Sequence, residues 1–401
     1  MTNKTSILFL LFFIVIHSGF SQENPTKVPE ATTQEKQASF WDIPTLKEAY
    51  INATPMDRKD GILVGELGVD GGNKEMILKL ARHISLNAYG IFDSFLIAHK
   101  DKLLFESYFT KGRIDLPHGQ ASATKTYTSL ALGRAIQLGY LTMNDLEKPV
   151  ASFLKDLDPS TFAEGVGETT LHQALTMTTG IQISDENKEK MRKNPERLKG
   201  QGEVQAIFEY TQPITPNAKV FRYGTGPRLV MQIINAVVPG TAEDFIKNEL
   251  LDKLEITNYN WHKNEETGLP EAGWRTEMTS RAMLKFGILA LNKGKWNGQQ
   301  LISEAFITKA MSKVVDTGDN AIYFGGCKGV SNEGYGYFWW NANLEYEDKR
   351  YYCPNAQGGG GQFIILIEEL DLIVVATGHN NFYPNTLRMT ADRILPAFIK
   401  K

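Results

Sequence analysis

The sequence predicts an α/β fold in which the two ends of the chain supply one sheet and the middle supplies a helical insert. Three observations predict it. A hairpin pattern runs from Ser94 to Phe109, a series of helical patterns fills the middle, and strand-like apolar runs return in the final third. The chain has 401 residues, 42% of them hydrophobic and 22% charged, with a formal net charge of −3. That composition can bury a large core. It carries no basic excess, so no nucleic-acid partner is expected.

Taken in order, the N-terminus stands apart. Lys4 precedes an apolar run from Ile7 to Ile16 and a small-residue exit at Ser21. Residues 1–21 are therefore expected to be a signal peptide, with the mature protein periplasmic or secreted. The run is too short to span a bilayer comfortably, so no membrane association is expected after cleavage. Residues 22–37 are polar, with Pro, Thr and Lys, and read as a flexible linker. Ordered structure is expected from Ala38. A helix is expected from Asn73 to about Leu86. In the hairpin that follows, two strand-like runs flank a turn at Lys100-Asp101-Lys102.

After a loop the chain enters Gly119-Gln-Ala-Ser122-Ala-Thr-Lys125 and a helix ending at Gly139, a natural C-cap. Leu130, Ala131, Leu132, Ala135, Ile136 and Leu138 leave this helix almost no polar face, so it should be central and buried. Helices are expected at Thr169–Met177, Pro227–Val237, Thr241–Leu251, Thr279–Lys293 and Ile302–Met311. Asp185 to Gly202 is highly charged and reads as a solvated excursion. Strands are expected at Gly334–Trp340, Gln362–Ile367 and Asp371–Thr377, with a closing helix from about Asn385 to Ile399.

The chemistry points to the helix that opens at Ser122. Lys125 lies one turn on from Ser122. A serine hydroxyl needs a base to become a nucleophile, and a desolvated lysine can be that base. The free N–H groups of a helix start can stabilise an oxyanion. The spacing alone is weak, since roughly one Ser-x-x-Lys is expected by accident in a chain of this length. A second one, Ser152-Phe-Leu-Lys155, lies after Pro149 among acidic neighbours and lacks the buried helix. Cys327 and Cys353 could pair in an oxidising compartment or remain thiols. No Cys-x-x-Cys or His-x-x-x-His spacing supports a metal site.

Several segments together resemble the serine β-lactamase and penicillin-binding-protein-like hydrolases. The branch most similar contains class C β-lactamases, family VIII-type esterases and 6-aminohexanoate-dimer hydrolases. Ser122-Ala-Thr-Lys125 matches the first motif, and Phe221-Arg-Tyr223-Gly-Thr225 the second. Leu175-Thr-Met-Thr-Thr-Gly180, Thr279 to Gly287 and Gly294-Lys-Trp-Asn-Gly298 resemble further landmarks. Asn355 to Gln362, with its run Gly358-Gly359-Gly360-Gly361, stands where the third motif belongs. The similarity runs in order from about Asp93 to Thr377.

The resemblance implies a β-lactamase/transpeptidase-like fold, an antiparallel sheet flanked by helices plus a helical subdomain. A hydrolase domain would span 38–401, its sheet part about 38–121 and 276–401 and its helical part about 122–275. It implies Ser122, Lys125 and Tyr223 as the catalytic set, and the N–H groups of Ser122 and Gly359 as the oxyanion hole. The glycine run allows close backbone approach to a substrate, as an edge strand would. Gly358, Gly360, Thr225 and Trp340 are expected to contact substrate, and the Thr225 hydroxyl is expected to hydrogen-bond Lys125. His172 and His379 are expected to be structural. Ala356 stands where β-lactamases carry the Lys that helps grip a carboxylate, which favours a neutral or differently anchored ester or amide. No metal or organic cofactor is implied.

Overall fold

The computed structural model describes residues 27–317, 329–381 and 386–399. The expected signal peptide and any pairing of Cys327 with Cys353 lie outside these residues; Cys353 itself is buried in the sheet. The main sheet is built from β1 (Tyr50–Asn52), β2 (Leu63–Val64), β3 (Phe92–His99) and β4 (Lys102–Tyr108) at one end of the chain. Two small sheets use β5 (His118–Gly119), β6 (Tyr259–Trp261) and β7 (Thr276–Met278), and β8 (Lys295–Trp296) and β9 (Gln299–Gln300). The main sheet is completed by β10 (Val315–Asp316), β11 (Val330–Tyr335), β12 (Trp340–Tyr346), β13 (Lys349–Gly358), β14 (Gln362–Ile367) and β15 (Leu372–Gly378).

Its order is β1-β4-β3-β15-β14-β13-β12-β11-β10, with β2 beside β4. The pairs are antiparallel except β2 with β4. The β3–β4 hairpin turns at Lys100 and Asp101, both with positive φ (50° and 62°). That is the turn conformation whose twist matches the strands it joins. β14 and β15 are buried along their whole length, as befits central strands covered on both faces.

The helices are α1 (Thr33–Gln37), α2 (Lys74–Ser85), α3 (Thr124–Gln137), α4 (Leu171–Leu175), α5 (Asp185–Arg192), α6 (Gly202–Tyr210), α7 (Gly226–Val237), α8 (Ala242–Phe245), α9 (Ser280–Leu291) and α10 (Glu304–Met311). α8 continues into a π-helical stretch, Ile246–Leu251. Helices at the C-terminal end run from Thr386 to Phe398. α3 is buried from Thr124 to Ile136 and packs on α7 and α10. α9 lies close on the sheet: a Cβ at Gly287 would stand 2.9 Å from Ile373 Cγ2.

Two sequence expectations are corrected. The segment 27–37 is not a flexible linker. Thr32 and Glu35 form a capping box that starts α1, and Glu35 is buried against Arg113 at 2.7 Å. The expected strand Gly334–Trp340 is a reversal: β11 ends at Tyr335, β12 begins opposite it at Trp340, and Gly336 N donates to Trp339 O at 2.8 Å. A Cβ at Gly336 would lie 2.0 Å from Ala310 O, so the chain passes there only as glycine. Its aromatic residues are buried, which is why the stretch looked like a strand.

The sheet and helix α9 are tied by a buried ion pair. Arg281 donates from Nε and Nη2 to the two oxygens of Glu106, both at 2.8 Å, and from Nη1 to Asp60 at 3.0 Å. Tyr108 Oη also donates to Glu106 at 2.8 Å. Arg281→Met would leave Glu106 buried without its cation. The expected loss of stability is about 3–5 kcal/mol, read from urea unfolding midpoints.

Candidate active site

Ser122 sits in a 3₁₀ turn, Ala121–Ala123, that runs directly into α3. The turn is pinned on several sides. Gln120 N donates to Thr276 O of β7 at 2.8 Å, and Gln120 Oε1 accepts from Tyr127 Oη at 2.7 Å. Thr124 Oγ1 donates to Ala121 O at 2.7 Å. Ala121 holds a positive φ of 46°, sterically costly for an L-residue and tolerated because these neighbours fix it.

Lys125 points back at Ser122. Its Nζ donates to Ser122 Oγ at 3.1 Å and to Gly273 O at 2.7 Å. Burial of the amine lowers its pKa to about 8. The decoy pair behaves otherwise: Ser152 is exposed and its hydroxyl donates to Pro149 O at 2.6 Å.

Tyr223 lies on the loop before α7, with its ring centroid 4.7 Å from Lys125 Nζ. The ring stacks on Trp340 (5.4 Å, 30°) and meets Tyr335 edge-on (6.1 Å, 84°). Trp340 is 3% exposed. It is therefore the floor under Tyr223 and Phe221, not a substrate contact, which corrects the expectation. Thr225 is also corrected. It forms no hydrogen bond to Lys125 among the described residues, and the Gly273 carbonyl takes that amine instead. Thr225 lines a cleft with Tyr223 and Gly224.

The glycine run ends β13 and turns into β14. β13 is an interior strand, not an edge. However, β12 begins opposite Asn355, so Ala356, Gln357 and Gly358 extend past its end. That open edge reaches the Ser122 turn: a Cβ at Gly358 would lie 2.1 Å from Gln120 O. Only glycine permits this approach. A Cβ at Gly359 would meet nothing within 4 Å. Gly360, expected to touch substrate, is instead a turn residue with φ +91°. Its carbonyl accepts from Asn380 N at 3.0 Å and Asn380 Nδ2 at 2.8 Å. Ala356 is fully buried and offers no polar atom.

His379 Nδ1 and His118 Nε2 donate to the buried Asp93 Oδ2 at 2.7 and 3.0 Å. These bonds hold Asp93 well below the usual carboxylate range even though burial opposes ionisation. His172 Nδ1 pairs with Tyr337 Oη at 2.9 Å.

Ser122 and Lys125 open into a cavity of about 350 Å³. It adjoins a cleft of about 930 Å³ through the shared Glu203, Gly224 and Arg228. Sequence reasoning singled out none of Gly273, Glu203, Arg228, Glu271 or Trp274, all of which line the Ser122 cavity. A backbone carbonyl leaves no mark in sequence, and the carboxylates read as ordinary surface charge.

The Beta-lactamase family model matches residues 93–396. No curated protein sequence matches the chain. Among solved structures, the chain is similar to EstCE1, a hydrolase with promiscuous acyltransferase activity (15% identity, 79% of this chain and 98% of that one, TM-score 0.60). It is also similar to a class C β-lactamase (14% identity, 82% and 97%, TM-score 0.58). A third is a D-stereospecific amidohydrolase from Streptomyces sp. (15% identity, 78% and 96%, TM-score 0.56). At these identities the likenesses establish the fold, while the family model covers most of the chain that carries the Ser122 turn, the Tyr223 loop and the glycine strand. The chain belongs to the Beta-lactamase family.

Proposed function

We propose that this protein is an exported serine hydrolase that cleaves an ester or amide through an acyl-enzyme. The observation that carries the reading is the hydrogen bond from Lys125 Nζ to Ser122 Oγ, made by an amine whose pKa burial has brought to about 8. Ser122 Oγ attacks the carbonyl carbon and Lys125 takes its proton. The oxyanion forms against the N–H groups of Ser122 and Gly359. The Ser122 proton passes from Lys125 through Tyr223 to the leaving group; water then gives a proton to the freed base and attacks the acyl carbon, and the proton returns to Ser122 Oγ as the acid leaves. Buried Ala356 supports a substrate without the carboxylate that relatives grip with Lys, and so disfavours a β-lactamase. The cationic, apolar start of residues 1–21 supports export.

Ser122→Ala is expected to abolish hydrolysis of short-chain p-nitrophenyl esters with the fold intact, and to remove labelling by a fluorophosphonate. Full retained activity would remove Ser122 as nucleophile. A wild-type protein that takes no label at any concentration would instead be a ligand-binding domain on this fold.

The sign of the pH dependence follows from Lys125. The amine must be neutral to accept the Ser122 proton, and its pKa is about 8. Below that value kcat/KM should fall about tenfold per pH unit, and above it the rate should level off. Lys125→Ala should lower kcat by about 10²–10⁴-fold and flatten this limb.

A further inference from the structure

One wall of the Ser122 cavity is a single segment, Pro270 to Trp274. Its path is fixed from α3. Thr128 Oγ1 donates to Ala272 O at 2.8 Å, and Lys125 Nζ donates to Gly273 O at 2.7 Å. The residues on either side of these two anchors, Glu271 and Trp274, both line the cavity.

Glu271 is 7% exposed. Its carboxylate accepts from the Asn264 amide, and among the described residues the one cation within 4.0 Å is Arg275, at 3.9 Å. A second carboxylate, Glu203 of α6, is 4% exposed and accepts from Arg228 Nη1 at 3.2 Å. Burial raises the pKa of both acids, which marks them as short of compensating charge. Glu203 thus has a guanidinium in direct contact, while Glu271 on the cavity wall has its guanidinium only at 3.9 Å. Trp274 stands among these groups with 57% of its surface exposed.

We propose that this cavity receives an ammonium group of the substrate, so that the preferred esters or amides carry a cation a few bonds from the scissile carbonyl. Such a group supplies a closer positive charge to Glu271, whose own guanidinium stands 3.9 Å away. The face of Trp274 attracts the same charge. A neutral arm would deprive Glu271 of water without replacing it, and a carboxylate arm would meet two like charges. Glu271 and Trp274 are thus the specificity determinants, and Glu203 reinforces them. The proposal rests on the acyl-transfer reading of Ser122, and the following test separates the two.

Two pairs of esters differ only in N⁺ against C. On the acyl side they are p-nitrophenyl 4-(trimethylammonio)butanoate and p-nitrophenyl 5,5-dimethylhexanoate. On the leaving-group side they are butyrylcholine and 3,3-dimethylbutyl butanoate. In at least one pair the cationic ester is expected to have the higher kcat/KM by about tenfold, mainly through KM. The preference should shrink as salt rises from about 0.05 to about 0.5 M. In Glu271→Gln the ratio should fall to about one, and in Trp274→Ala, at an exposed position, it should fall part of the way. Wild-type ratios at or below one in both pairs would overturn the proposal, as would a ratio unmoved by both substitutions. If no ester is hydrolysed, the acyl-transfer reading fails, and calorimetric titration with butyrylcholine decides the ammonium site. Binding that is weakened by either substitution supports it, and no binding overturns it.

Discussion

The desolvation of one amine sets the terms for the rest of this structure. In the proposed mechanism Lys125 serves as a base only if water is kept from it, and keeping water away destabilises its charged form. Four surroundings achieve this. Ser122 Oγ and the Gly273 carbonyl occupy its hydrogen-bonding directions. The Tyr223 ring covers it at 4.7 Å. α3, buried along nearly its whole length, places it below the surface. The aromatic floor of Trp340, Tyr335 and Phe221 exists on this view to hold one phenol ring over one nitrogen.

Much of the fold was legible from local pattern. The β3–β4 hairpin, the apolar β14 and β15 and the featureless apolar helix α3 each carry their own periodicity. Errors arose where long-range contacts overrode composition. Nothing in the polar composition of residues 27–37 told of Arg113, against which Glu35 is buried. Tyr335 to Trp340 is aromatic enough for a strand, yet Gly336 squeezes past Ala310 O and reverses the chain.

The same division holds at the site. Ser122 and Lys125 were legible because one helical turn joins them, and Tyr223 because a motif match gives its position. A motif gives position, not direction. Thr225 and Trp340 occupy expected places but face other partners. Glu203, Glu271 and Gly273 come from segments remote in sequence, and their meaning arises only from the cavity that they share with Ser122.

The contact between Gly358 and the Gln120 carbonyl joins the sheet to the nucleophile turn through main chain alone. No side chain stands between them to be exchanged for a longer or shorter one. The spacing of Ser122 and the glycine strand at this contact is therefore set by backbone, and a side chain at Gly358 would break it. In the proposed ammonium site, by contrast, recognition falls to replaceable side chains, Glu271 and Trp274. On the proposed reading, substitutions at these side chains alter which substrate binds while the backbone contact at Gly358 is kept.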